Sequence, residues 1–343
     1  MNQLFKKAVV FTDIHFGKKN NSIEHNMNNE QFILWMIEQG KINNDETEIF
    51  MGDWHDSRRS INVSTLNMSL NCMELINNSF EKFYFIVGNH DLFYKEKRDL
   101  NSIEFARNLK NVVIVNEPIF EKNVGLIPWV LESERETIAK TKCKYMFGHF
   151  EISSFMMNSN SFMPESGIHP DLFKGQEYIF SGHFHKRQIK KNKNNVNIIY
   201  IGNCFPHDYN DVLDNDRGIM ILEWGKEPEF FNWPNQPEYK YLSLSEILND
   251  INLINDKTFT QVTNDLDITY EESQFIREVL MANYKPKELI ILPNFNNDDE
   301  YQFDSENKIQ TVDEIVIEGI SNITNTNIDA SKLIDLYNSL DIE

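Results

Sequence analysis

Cysteine is nearly absent from this chain. Cys72, Cys143 and Cys204 are scattered through 343 residues and odd in number. They cannot build a disulfide framework, and they read as the reduced thiols of an intracellular protein. Three isolated thiols also leave no Cys-type structural zinc site. Long apolar runs are missing as well. No stretch approaches the ~20 apolar residues of a membrane-spanning helix, and Ala8–Phe11, behind Lys6 and Lys7, is too short for a signal peptide. The third deficit is basic charge: 33 Lys and Arg against 53 Asp and Glu, a net of −20. That argues against a free-standing basic DNA-binding module. The acidity is uneven, however. Residues 241–343 hold 21 acidic and 6 basic side chains, a net of −15, whereas residues 1–240 hold 32 and 27, a net of −5. Within the nearly neutral part, Arg58, Arg59, Lys186 and Arg187 are candidates for contact with a phosphate backbone, the alternative being solvated surface loops.

What is present is a repeated arrangement. Short runs rich in Val, Ile, Phe and Tyr read as buried strands, and most end in residues able to ligate a metal. Lys7–Thr12 leads into Asp13-Ile14-His15, Thr47–Met51 into Gly52-Asp53-Trp54-His55-Asp56, and Phe83–Val87 into Gly88-Asn89-His90-Asp91. Tyr145–Phe147 leads into Gly148-His149, Tyr178–Phe180 into Gly182-His183-Phe184-His185, and Asn197–Ile201 into Gly202-Asn203-Cys204. In α/β proteins, sites gather where the carboxyl ends of strands meet. Imidazole, carboxylate and amide oxygen without thiolate form a hard-to-borderline donor set, suited to Mn, Fe, Zn or Mg. Asp13, His15, Asp53, Asn89, His149, His183 and His185 are too many for one ion. They would fill two neighbouring sites if Asp53 bridged them, and paired metals are the standard device for displacement at phosphorus. His90 then suits transition-state stabilisation or protonation of a leaving group, with Asp91 expected to orient its ring or raise its pKa.

These blocks, in this order over roughly residues 7–204, resemble the calcineurin-like metallophosphoesterases. The resemblance implies two mixed sheets packed face to face with helices outside. It implies a first metal on Asp13, His15, Asp53 and His185, a second on Asp53, Asn89, His149 and His183, and His90 as the catalytic histidine. The stretch from Gly148-His149-Phe150 through Pro170-Asp171-Leu172-Phe173 to Tyr178–Gln188 is further similar to the SbcD nuclease group, most of all to its bacteriophage members. That implies two divalent cations, Mn²⁺ before Mg²⁺, DNA as substrate, an SbcC-type ATPase partner bound through the C-terminal region, a homodimer, and action in a cell's or host's cytoplasm. One departure stands out. Several nucleases of the group have histidine three residues after the bridging aspartate, where this chain has Asp56. Either one mode of cleavage is lost, or His55 substitutes. Two other readings stay open: a small-molecule or protein phosphoesterase on the same scaffold, and a mainly architectural subunit that regulates an ATPase.

The first ~240 residues alternate strand-like runs with helical patterns at Glu30–Gln39, Val63–Phe80, Ser102–Leu109 and Glu132–Lys142, which argues α/β. The Val63–Phe80 helix should bury Leu66, Leu70, Met73 and Ile76. Arg217–Trp224 and Glu229–Trp233 read as late strands, and Asn232–Pro237 as a boundary. The expected organisation is a catalytic domain over 1–235, a small α+β accessory domain over 236–300 with helices at Leu244–Ile254 and Glu271–Asn283, and a partner-binding segment over 301–343. Met156, Met157 and Met163 are expected under a loop, Trp35, Trp54 and Trp129 in the core, and His207 in a structural role.

Overall fold

The computed structural model describes residues 3–157, 163, 167–212, 214–266 and 268–292, together with Ile320 and Lys332. The chain divides into two units, 1–292 and 293–343. Apart from Ile320 and Lys332, the partner-binding segment expected over 301–343 lies outside the described residues.

The first unit is α/β, with two mixed six-stranded sheets and helices flanking them. The first sheet begins with β1 (Lys7–Phe11), β2 (Thr47–Phe50), β3 (Lys82–Ile86) and β4 (Val112–Val115). The chain then crosses to the second sheet for β5 (Ile119–Glu121), β6 (Val124–Ile127), β7 (Cys143–His149), β8 (Gln176–Gly182), β9 (Gln188–Lys191) and β10 (Asn197–Tyr200). It returns to the first sheet with β11 (Gly218–Glu223) and β12 (Glu229–Asn232). The strand orders are β12-β11-β1-β2-β3-β4 and β5-β6-β7-β8-β10-β9. β1 to β4 run parallel, as do β6, β7, β8 and β10, so the carboxyl ends of the ligand-bearing strands emerge together. A third sheet of β13 (Glu238–Ser243), β14 (Thr258–Thr263) and β15 (Glu288–Leu292) is all parallel, with α4 (Leu244–Asn249) and α5 (Tyr270–Tyr284) between its strands.

Strand alternation partitions the core. Val9, Phe11, Phe50 and Phe85 face α1 (Ile23–Asn43) and α2 (Val63–Ser79), packing on Phe32, Met36, Met73 and Ile76. Val10, Ile49, Tyr84 and Ile86 face the other way, against Tyr145, Phe147, Tyr178 and Phe180 between the sheets. The outer face of the second sheet is covered by α3 (Arg135–Lys140) and the segments 150–155 and 168–173, through Ile138, Phe150, Phe155 and Phe173.

Several elements differ from the sequence reading. α1 is twice the expected length because Ser22 caps it, accepting the His25 N–H. Ser102–Leu109 forms only a 3₁₀ turn over Glu104–Asn108. Leu244–Ile254 breaks at Asp250 into α4 and a short 3₁₀ turn. α2 buries Thr65, Ser69, Cys72, Met73 and Ile76, whereas Leu66 is 37% exposed. The cause is polar: its first turns meet hydrogen-bonding groups of α1 and of the loop after β2, where Asn26 Nδ2 donates to Thr65 Oγ1 and Ser69 Oγ meets His55 Nε2. The sequence reading has no strand at β4, β5, β6, β9, β13 or β14, although Val112–Val115 is an unbroken β-branched run.

Glu48 sits in the middle of β2, fully buried, and neither carboxylate oxygen has a hydrogen-bond partner among the described residues. Burial pushes its carboxyl well above the usual range. The folded chain therefore keeps this proton while the unfolded chain releases it above about pH 4.5. Its contribution is fully present below that pH, and stability falls by about 1.4 kcal/mol per pH unit until the folded group ionises. Glu48→Gln removes this slope. Its thermal midpoint relative to wild type should rise as the pH is taken upward from about 5, as scanning calorimetry in EDTA would register; a constant difference would refute the buried, protonated state.

Candidate metal centre

All seven sequence-predicted ligands lie at the carboxyl ends of strands on one edge of the sandwich. Asp13 and His15 follow β1, Asp53 follows β2, Asn89 follows β3, His149 ends β7, and His183 and His185 follow β8. Four of them have left-handed backbone: Asp13 (φ 52°), His15 (φ 51°), Asp53 (φ 64°) and His183 (φ 84°). Non-glycine residues adopt this conformation at a cost, and such outliers cluster at functional sites. Two glycines allow the loops to close on one another. A Cβ on Gly88 would stand 2.2 Å from Asp53 Oδ1, and one on Gly182 would stand 2.1 Å from Thr12 Oγ1.

Among the described residues, three potential ligand groups form: Asp13/His15/His185 and Asp53/His149/His183 side by side, and His15/Asp56/His90 at the rim. Asp53 lies between the first two. Its Oδ2 is 3.8 Å from His15 Nε2 and 3.3 Å from His149 Nε2, while Asp13 Oδ1 is 3.9 Å from both His15 Nε2 and His185 Nε2. Asn89 Oδ1 completes the second group, 3.0 Å from His149 Nε2. Buried His15 Nε2 has no hydrogen-bond partner among the described residues, which a structure tolerates only where something else satisfies the atom. Burial opposes a positive His149, yet the Asp53 carboxylate beside it lifts its pKa to about 9. The two buried carboxylates thus make a field that demands positive charge. Nitrogen and oxygen donors at these separations fit a pair of divalent cations with ligand bonds of about 2.0–2.2 Å.

The surrounding shell fixes each ligand. His149 Nδ1–H donates to the Met51 carbonyl at 2.7 Å, leaving Nε2 for the site. Thr12 Oγ1 and the His183 N–H donate to Asp13 Oδ2 at 2.7 and 3.0 Å. Buried Arg217 donates to the His185 carbonyl and pairs with Asp211 and Asp214. Two outer carboxylates escaped the sequence reading. Asp56 Oδ1 is 3.3 Å from His15 Nδ1, and Glu151 Oε1 is 3.6 Å from His183 Nε2. The odd Asp56 position was a signal for the first; nothing marked the second.

His90 stands at the rim, its ring centroid 5.0 Å from that of His15. Its backbone N–H donates to Asp53 Oδ1, and its Nδ1–H donates to the Asp56 carbonyl at 2.6 Å. The expected pairing of Asp91 with this ring does not form. Asp91 is fully buried and accepts the backbone N–H groups of Asp53, Trp54, His55 and Gly88 at 2.9, 2.9, 3.2 and 2.9 Å. Burial, with the Asp53 carboxylate next, raises its carboxyl to about 7, against the lowering effect of those N–H groups. Asp91 is therefore a loop clamp.

His55 does not face the centre either. Its two ring nitrogens meet Ser102 Oγ and Ser69 Oγ, each at 2.9 Å, and burial lowers its pKa to about 3. His207 is buried against His15 and His185, at 5.5 and 5.3 Å between ring centroids. Trp129, expected in the core, also walls the site, 5.2 Å from the His183 ring. Cys204 donates to the Thr12 carbonyl, and burial raises its thiol far above the usual range. Of the four candidate phosphate contacts, Arg59 is exposed, and Arg58 and Lys186 are half-buried. Arg187 is occupied internally, bonded to the Ile201 carbonyl and Asn232 and stacked over Phe230.

Residues 6–187 match the family described as Calcineurin-like phosphoesterase. Over 321 residues the chain is 27% identical to "Exonuclease subunit 1" of Enterobacteria phage T4, covering 90% of each chain. Among solved structures it is similar to a dimetal phosphatase from Danio rerio, with 8% identity, a TM-score of 0.41, and coverage of 63% of this chain and 92% of that one. It is also similar to Pseudomonas putida nuclease MPE, with 16% identity, a TM-score of 0.30, and coverage of 56% and 72%.

The clamp role makes Asp91 separable from His90. Asp91→Ala strands four N–H groups at about 1–3 kcal/mol for each one left without a partner. The EDTA-treated variant should lose about 4 kcal/mol or more and melt well below wild type, whereas His90→Ala should melt near it. Equal midpoints for Asp91→Ala and wild type would remove the clamp.

Proposed function

Because this chain belongs to the calcineurin-like phosphoesterase family, and is thereby a phosphoester hydrolase, we propose that it is a DNA nuclease: a two-metal phosphodiesterase that processes DNA ends in recombination and break repair. The observation that carries this reading is the reach of the likeness to the phage exonuclease subunit. It extends over nine-tenths of both chains, beyond the 6–187 family match. A subunit implies an assembly, and we assign the partner as an SbcC-type ATPase that governs access to the duplex, engaged through residues 301–343. In this reading residues 1–235 form the nuclease domain, 236–300 an accessory domain, and the working particle contains two copies of the chain. No helix among the described residues is long and apolar enough to cross a membrane.

Asp13, His15, Asp53 and His185 would hold one cation, and Asp53, Asn89, His149 and His183 the other, Mn²⁺ in preference to Mg²⁺. Cations bound there supply charge neutralisation at the phosphoryl oxygens and a lowered pKa for water. The chain's own contribution is placement. Buried carboxylates and imidazoles, fixed by the Met51 carbonyl, Thr12 and Arg217, hold the donors without reorganisation. His90 gives its Nδ1–H to the Asp56 carbonyl, which leaves Nε2 to hold a proton for the departing 3′- or 5′-oxygen of the scissile ester.

End-labelled linear duplex and single-stranded DNA, incubated with Mn²⁺, Mg²⁺ or EDTA, should be degraded only with metal, and Asp53→Ala should abolish degradation. His90→Ala should lower kcat about 10²–10⁴-fold while Mn²⁺ binding, followed by calorimetry, is retained. Rapid turnover of a nucleotide or phosphoprotein without DNA cleavage would favour a small-molecule or protein phosphoesterase instead.

A further inference from the structure

The loop that follows His90 has no part in the metal centre, yet it is held firmly. Leu92 and Asn101 form an antiparallel bridge, and the Phe93 N–H donates to the Leu100 carbonyl at 3.0 Å. Arg98 is buried beneath the loop, with its Nε–H on the Trp129 carbonyl at 3.0 Å and its guanidinium on Glu117 and Glu134. Against this anchored base, Phe93 and Tyr94 point outward, 42% and 49% exposed, as an edge-to-face pair with centroids 4.8 Å apart. Two lysines flank them. Lys97 Nζ is 5.8 Å from the Tyr94 ring centre, and Lys95 Nζ is 5.4 Å from that of Trp129. Lys95 also borders a cavity of about 700 Å³ that it shares with Trp129, Arg135 and Glu151. Trp129 and Glu151 both touch His183, so the cavity opens beside the second ligand group.

Two adjacent aromatic rings, left in water on a rigid loop three and four residues from His90, match the chemistry of an unpaired nucleic-acid strand. Each base offers a π face whatever its identity, and Lys97 stands beside the Tyr94 ring to meet a phosphate. Paired bases are stacked on one another and offer no free face, so such a platform discriminates between single and double strands. Glu96 and Asp99 balance Lys95 and Lys97 in net charge within this loop, which leaves stacking as the main attraction. We propose that Phe93 and Tyr94 form a stacking subsite for unpaired nucleotides next to the scissile phosphate, so that the preferred substrate is single-stranded or frayed DNA. This inference rests on the nuclease reading above.

The test uses the full chain and a fluorescein-labelled oligothymidylate, with a duplex of equal length as comparison. Binding is read by anisotropy in EDTA, and cleavage is then read with Mn²⁺. Phe93→Ala/Tyr94→Ala should weaken oligothymidylate binding roughly 5-fold or more for each ring removed and raise its KM correspondingly. Its thermal midpoint should match wild type, since both rings are exposed. Phe93→Leu/Tyr94→Leu should behave like the alanine pair, because a branched alkyl group cannot stack. If wild type cleaves DNA and the alanine pair binds oligothymidylate as tightly, the subsite is overturned and the nuclease reading stands. Recovery by the leucine pair, or equal loss for duplex and single strand, also overturns it, leaving a generic apolar patch of the kind a protein partner covers. If wild type hydrolyses bis(p-nitrophenyl) phosphate but neither binds nor cuts either DNA, the nuclease reading falls and takes the subsite with it.

Discussion

The Asp91 carboxylate is the contact on which the centre depends. It gathers N–H groups from the loop after β2 and from the loop after β3, and so ties Asp53 to Asn89 and His90 without touching any of them through a side chain. A buried carboxylate is expensive unless its lone pairs are filled, and here the filling is done by backbone that must in any case be held still. The left-handed residues at Asp13, His15, Asp53 and His183 need such restraint. Without a fixed partner, each loop would relax toward an ordinary conformation and carry its ligand away.

Much of this was legible in the sequence because the two signals were independent. Buried strands announce themselves as apolar runs, and ligands announce themselves by residue type at their ends. Agreement of both across β1, β2, β3, β7 and β8 picked out candidate ligands that the structure brings to one edge. What stayed illegible was direction. Asp91 follows His90 in the chain, and adjacency suggested a partnership, yet both lie in the turn after β3, where Asp91 turns inward onto backbone N–H groups. Leu66 followed helical spacing and is nonetheless exposed, since the neighbouring surface at that turn is polar. Asp56 and Glu151 reach His15 and His183 only through tertiary packing, which spacing cannot report. The short edge strands β5 and β9 gave no periodicity long enough to distinguish them from loops.

The accessory sheet is joined to the catalytic part close to the ligands. Lys19, four residues after His15, lies over the rings of Tyr239 and Phe259, each centre 4.5 Å from its Nζ, and meets the Tyr239 hydroxyl. That hydroxyl donates to the His207 carbonyl at 2.8 Å. Lys19, Asn20 and Asn21 are all left-handed, a conformation that non-glycine residues adopt at a cost. The first strand of the accessory sheet is thus seated within a few residues of a metal-ligand loop.

The strand order carries a consequence for how the protein comes into being. β1, which delivers Asp13 and His15, lies between β2 and β11, and β11 is supplied only after the chain has built the whole second sheet. A nascent chain that has already emerged as far as His185 holds every ligand, but its first sheet is still open along β1, with unpaired N–H and C=O groups on that flank. Arg217, which pins the His185 carbonyl, arrives at the same late moment. Completion of the centre is thereby deferred to nearly the end of the domain's synthesis, so an interrupted translation product would carry the ligands of a hydrolytic site without the framework that arms it.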